Sequence, residues 1–129
     1  MELVKDVMVR EVVTVSPFAS LRDALMLMKK HQVKSLVVER RSLHDSYGML
    51  SYAHILRTIV AEDGDIDLIN VYDAAFTPVI SVSEELAVKH AAALMSRYHT
   101  NRIVVSRDNE MTGLVTMNDI VAKLMDAMD

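Results

Sequence analysis

Gly113-Leu114-Val115-Thr116-Met117-Asn118-Asp119 joins the end of an apolar run to the start of a helical one. Leu114 and Val115 suit the last buried positions of a strand. Thr116 then suits the N-cap of a helix, and Asp119 falls in its first turn, near the positive end of the helix dipole. The backbone N–H groups of that turn lack intrahelical partners, and the glycine lets the backbone pass close to a neighbour or a ligand. A hydroxyl and a carboxylate three residues apart make this junction the candidate ligand site. The same spacing is that of a capping box, a structural role that can coexist with binding.

Earlier in the chain lies a related segment, Gly48-Met49-Leu50-Ser51-Tyr52-Ala53-His54, with a histidine in place of the carboxylate. The relation extends outward as an internal duplication. Val4 aligns with Val71, an offset of 67 (71 minus 4), and that offset holds without a gap over the first half of each copy. Thr14-Val15-Ser16 meets Ser81-Val82-Ser83; Leu21, Ala24, Leu25 and Met28 meet Val88, Ala91, Ala92 and Met95; Leu36-Val37-Val38 meets Ile103-Val104-Val105. At the glycines the offset becomes 65 (113 minus 48), so a hairpin loop is two residues longer in the first copy. Such self-similarity constrains the fold before any single element does. The copies are 1–62 and 63–129, divided at Glu62-Asp63-Gly64-Asp65, where no apolar period runs.

In the first copy the patterns predict a strand over Val12–Val15, a helix capped by Ser20 and running to about His31, and a continuous apolar strand over Ser35–Glu39. A polar loop over Arg40–Ser46 and a strand over Tyr47–Leu50 follow. Ser51 then opens a second helix, with Ile55, Leu56, Ile59 and Val60 on one face. The second copy repeats the plan: a short turn or helix over Asp67–Asp73, a strand near Val79–Val82 and a helix from Glu84 to Tyr98. Strands over Arg102–Ser106 and Met111–Val115 flank a turn at Arg107-Asp108-Asn109-Glu110, and a last helix runs from Thr116 to about Asp126. A helix between the first two strands suits a parallel crossover, whereas the last two strands suit a hairpin. The fold class is therefore α/β (α+β). The apolar face of the last helix, Ile120, Val121, Leu124 and Met125, needs cover from the other repeat or another chain.

At 129 residues, 51% hydrophobic with three glycines and two prolines, the chain suits one regular domain or two small units sharing a core. A net charge of −4 and a pI near 5.7 give no electrostatic footprint for nucleic acid. Absence of cysteine excludes disulfides, thiolate chemistry and cysteine-based zinc sites. The five histidines show no metal-ligand spacing, so no metal is expected. The ten methionines suit core and interface filling. Met1-Glu2-Leu3-Val4-Lys5-Asp6 lacks the apolar core of a signal peptide, and no apolar run approaches the roughly 20 residues of a membrane helix. A cytoplasmic location is expected, with no membrane partner. There is no P-loop, Gly-x-Ser-x-Gly or Gly-x-Gly-x-x-Gly, and no enzymatic activity is expected.

Two β-α-β-β-α repeats with Gly-apolar-apolar-Thr/Ser-x-x-Asp at the last strand-to-helix junction resemble the CBS domain pair, or Bateman module. Further resemblance lies in Asp6-Val7-Met8, Val13-Thr14-Val15-Ser16-Pro17, Ser20-Leu21-Arg22-Asp23-Ala24 and Thr100-Asn101-Arg102-Ile103-Val104-Val105. It implies tandem repeats related by a pseudo-two-fold, with small mixed sheets packed against helices. It also implies a regulatory sensor of an adenosyl ligand such as AMP, ADP, ATP, S-adenosylmethionine or NAD, with no cofactor required.

By resemblance each site is composite. The favoured one combines Thr116, Met117, Asn118 and Asp119 with Arg10, Glu11 and Val12 and with Lys34, Ser35 and Leu36. Asp119 would accept ribose hydroxyls, and Lys34 would meet phosphate. The second combines Ser51 and His54 with Thr77, Pro78 and Val79 and with Asn101, Arg102 and Ile103. There His54 departs from the pattern, because it lacks the two acceptors of a carboxylate. The family's habit of two-fold dimers implies a homodimer, and the regulated protein is expected on a separate chain. The alternative reading is a dimerisation or interaction scaffold whose nucleotide site has decayed.

Overall fold

The computed structural model describes residues 2–76 and 79–128. In chain order the elements are α1 (Val4–Val7), β1 (Thr14–Val15), α2 (Leu21–His31), β2 (Ser35–Val38), β3 (Gly48–Ser51), α3 (Tyr52–Ile55), a π-helical turn (Leu56–Ala61), α4 (Val71–Ala74), β4 (Ser81–Ser83), α5 (Val88–Arg97), β5 (Arg102–Arg107), β6 (Glu110–Thr116) and α6 (Met117–Ala127).

Helix α2 starts where its sequence says it should. Ser20 Oγ accepts the Asp23 N–H at 3.1 Å, and Leu21, Ala24 and Met28, one helical face, are buried. The crossover returns the chain to a strand parallel to β1, with Thr14 opposite Val37, and the β2–β3 hairpin pairs Leu36 with Leu50. The second sheet has the same order and sense: β4 runs parallel to β5, β5 antiparallel to β6, with Ile103 opposite Val115. Its hairpin turns through Asp108 and Asn109, at φ 53° and 64°, the pair of positive angles that a two-residue turn between twisted strands requires.

The described residues fall into two compact units that cut across the sequence repeats. The first unit is Val13–Val79; the second joins the residues up to Val12 with those from Ile80 onward. Each therefore combines the body of one repeat with the leading arm of the other. In the second unit, the Val4 and Lys5 N–H groups donate to the Leu86 and Glu84 carbonyls at 2.8 and 3.0 Å, and Val9 exchanges both backbone bonds with Leu114. In the first unit, Val71 and Tyr72 donate to Ala19 and Pro17 at 2.8 and 3.0 Å, and Phe76 exchanges both bonds with Met49. These are equivalent positions of the duplication. Val4 is fully buried among Ala91, Met95, Ile103, Val105 and Val115, and Val71 among Leu21, Met28, Leu36 and Leu50.

Two helices depart from the sequence reading. The helix expected from Glu84 begins at Val88, because the carbonyls of Glu84 and Leu86 are taken by the arm and the Glu84–Leu86 segment forms a turn instead. The helix opened by Ser51 gives way to the π-helical turn after Ile55. Thus Ile55 is buried while Leu56 and Val60 are 61% and 64% exposed, rather than sharing one buried face. The turn ends where Gly64 N donates to Thr58 O; a Cβ on Gly64 would lie 2.7 Å from that same carbonyl. Of the expected α6 face, Ile120 packs on the second core, whereas Val121, Leu124 and Met125 are exposed.

Candidate functional site

The junction at Gly113–Asp119 is built by the arm as much as by its own repeat. A Cβ on Gly113 would lie 2.8 Å from both Val9 O and Met8 Sδ, so the glycine makes room for the arm that bridges to β6. Arg10, Glu11 and Val12 follow directly on the Val9–Leu114 bridge and belong to the same unit as Thr116, Met117, Asn118 and Asp119. Arg10 lies 3.9 Å from Glu84, a mostly buried carboxylate. On the other side of β6, Arg102 pairs with Thr116 in register and the Met117 N–H donates to Asn101 O at 2.9 Å.

Thr116 and Asp119 form a reciprocal cap. Asp119 N–H donates to Thr116 Oγ1 at 3.1 Å, while Asp119 Oδ2 accepts both the Thr116 N–H at 3.1 Å and its hydroxyl at 2.8 Å. Among the described residues both bonds to this carboxylate fall on Oδ2, so Oδ1 is left for another donor. The side chain is half-buried and fixed before anything binds.

The first-repeat junction has the same backbone and a different acceptor. Ser51 N–H donates to His54 Nδ1 at 3.1 Å, with Ser51 Oγ 3.2 Å from the same nitrogen. An Nδ1 that accepts has no proton, so the imidazole is neutral with its hydrogen on Nε2. Burial, and secondarily the nearby Arg57, hold its pKa below the ordinary value. The ring stacks on Phe76 at 6.3 Å, nearly parallel.

Lys34, Ser35 and Leu36 belong to the first unit, where Ser35 faces Ser51 and the Lys34 carbonyl accepts the Tyr52 N–H. Leu36 and Ile103, both assigned by resemblance, have side chains buried in the two cores, so it is their main chains that could face a ligand. Val79 N–H donates to Tyr47 O in the first unit; Thr77 and Pro78 lie outside the described residues. Sequence reasoning missed Phe76 and Glu84. The duplication held the signal for Phe76, since it occupies the position of Val9. No group of histidine, aspartate or glutamate side chains among the described residues is arranged to hold a metal, and no described helix is long and apolar enough to cross a membrane.

The model of the CBS domain matches residues 4–61 and again 71–126. The chain belongs to the CBS domain family. This CBS pair is 32% identical over 128 residues to the CBS domain-containing protein YhcV of Bacillus subtilis, covering 97% of this chain and 87% of that one. It is also 32% identical over 114 residues to the inosine-5'-monophosphate dehydrogenase of Korarchaeum cryptofilum, but spans 22% of that enzyme. Among solved structures, a hexameric CBS-CP12 protein from bloom-forming cyanobacteria superposes with a TM-score of 0.87 at 26% identity, covering 100% of this chain and 76% of that one. CBS pairs are generally regulatory modules, and the fold described above, two small mixed sheets with six helices, is theirs.

Proposed function

We propose that this CBS pair is a cytoplasmic regulatory module that binds an adenosyl ligand at the Thr116–Asp119 junction and passes the event to a partner protein. The observation that carries this reading is Asp119, one of whose oxygens is fixed by Thr116 while the other is uncommitted among the described residues. An ionised acceptor makes stronger bonds to ribose hydroxyls than a neutral one, and one already held by a cap loses little freedom on binding. Arg10, in the same unit, supplies a cation for phosphate once it leaves Glu84. At Ser51–His54 the acceptor nitrogen is consumed by the cap, which supports assigning the ligand to Asp119 instead.

A second reading, association through exposed helices, is favoured by α6 and its C-cap, where Leu124, Met125 and Met128 are all more than 60% exposed. The cyanobacterial relative is described as hexameric. A homodimer formed through this face is compatible with ligand binding; a scaffold without a ligand is the rival.

The test is thermal unfolding with AMP, ADP, ATP, S-adenosylmethionine and NAD, each with and without magnesium, on wild type and Asp119→Asn, which keeps an acceptor for the cap. A ligand at a hundred times its Kd adds about 2.7 kcal/mol, roughly 10 °C for a chain of this size. The expected result is such a shift with one ligand, lost in the variant. No shift with any of them transfers the reading to the scaffold, for which light scattering would then report the assembly.

A further inference from the structure

Helix α3 and the π-helical turn carry an apolar groove of about 360 Å³, lined by Leu25, Tyr52, Ala53, Ile55, Leu56, Ile59 and Val60. The cap at the start of this helix is the Ser51–His54 contact. We propose that this contact is a proton-operated latch on the groove-bearing helix, closed while the imidazole is neutral and opened when it takes up a proton.

The geometry dictates the response. Met49 turns both its backbone groups to Phe76, and Ser51, two residues on along the same strand edge, turns its N–H to His54 Nδ1. A proton on Nδ1 sets donor against donor, and the Ser51 N–H is left without an acceptor. The new charge also sits in the first turn of a helix, the end that disfavours cations.

The surroundings of the ring reinforce this. From the π-helical turn, Arg57 adds like charge. Just before β2, the Lys34 carbonyl accepts the Tyr52 N–H. The segment after α4 presents the face of Phe76, whose attraction for a cation opposes the effect weakly at this partly exposed site. Among the described residues no ion pair or hydrogen bond joins a carboxylate to the ring, and β2 and β3 carry no carboxylate. The arrangement therefore favours the neutral form in the folded chain over the unfolded one. Stability from this contact is complete above about pH 6.5 and falls away as pH drops through the depressed value. At the other junction the equivalent contact is made by a carboxylate oxygen of Asp119 and involves no imidazole.

Long-range proton–nitrogen NMR on the wild-type chain reads the latch directly. His54 is expected as the Nε2–H tautomer, titrating below the ordinary histidine value, with Ser51 amide exchange accelerating as it does. In a second measurement, His54→Asp, which copies the acceptor of the other repeat, should melt several degrees further above wild type at pH 5.5 than at pH 7.5. An Nδ1–H tautomer, a His54 titration at or above the ordinary histidine value, or a melting difference that does not change with pH would each overturn the proposal.

Discussion

The two strand-to-helix junctions share a backbone plan down to the register of the arm beside them, Val9 on Leu114 and Phe76 on Met49, yet one is closed by a carboxylate and the other by an imidazole. Closing the junction takes a single acceptor aimed at the N–H of the capping residue. Aspartate supplies that acceptor and has an oxygen left over; histidine supplies it and keeps only a donor. Capping this position therefore does not require the carboxylate that the proposed ligand role requires, and the first repeat keeps the cap without it.

The largest effect that can test the comparison comes from the arms. Val4→Ala and Val71→Ala each remove two buried methyl groups, at a cost of about 2 kcal/mol. Because of the exchange, Val4→Ala should lower hydrogen-exchange protection at Ile103 and Val105, and Val71→Ala at Leu36 and Val38. Protection lost in the variant's own repeat would break the equivalence drawn here. Next in size are the caps. Thr116→Ala and Ser51→Ala should each cost about 1 kcal/mol in urea unfolding at neutral pH, and a much larger loss at one of them would show that the shared backbone hides unequal loads. Smallest is Thr112, whose Oγ1 is buried on β6 without a partner among the described residues. Thr112→Val keeps the shape and removes the orphan, so it should be neutral or stabilising by a few tenths of a kcal/mol in the same measurement.

Much of the fold was legible because the apolar periods are strong and occur twice. Ser20, Thr116 and the Asp108-Asn109 turn lie where their chemistry places them. What the sequence did not show was anything decided by a distant partner. Glu84 and Glu85 read as a helix start, but the arm takes the Glu84 carbonyl, and Lys5 pairs with Glu85. Leu56 and Val60 fit a regular helical face, and only the π-helical turn rotates them outward. At the junctions, the Thr-x-x-Asp spacing revealed the cap, while the equivalence of His54 as a cap could not be read from residue type. Its acceptor nitrogen matters only once the strand edge holds the Ser51 N–H in front of it.

The exchange of arms also sets the order in which the molecule can be assembled. Lys5 and its partner Glu85 are 80 residues apart in the chain, so during synthesis at roughly 5–20 residues per second the leading segment waits on the order of 4–16 s for the surface it will cover. Over that interval the body of the first repeat lacks Val71 until the start of the second copy has been made. Each repeat is thus completed by the other, and the nascent chain carries an unpaired strand edge and an unfilled core until both copies have emerged.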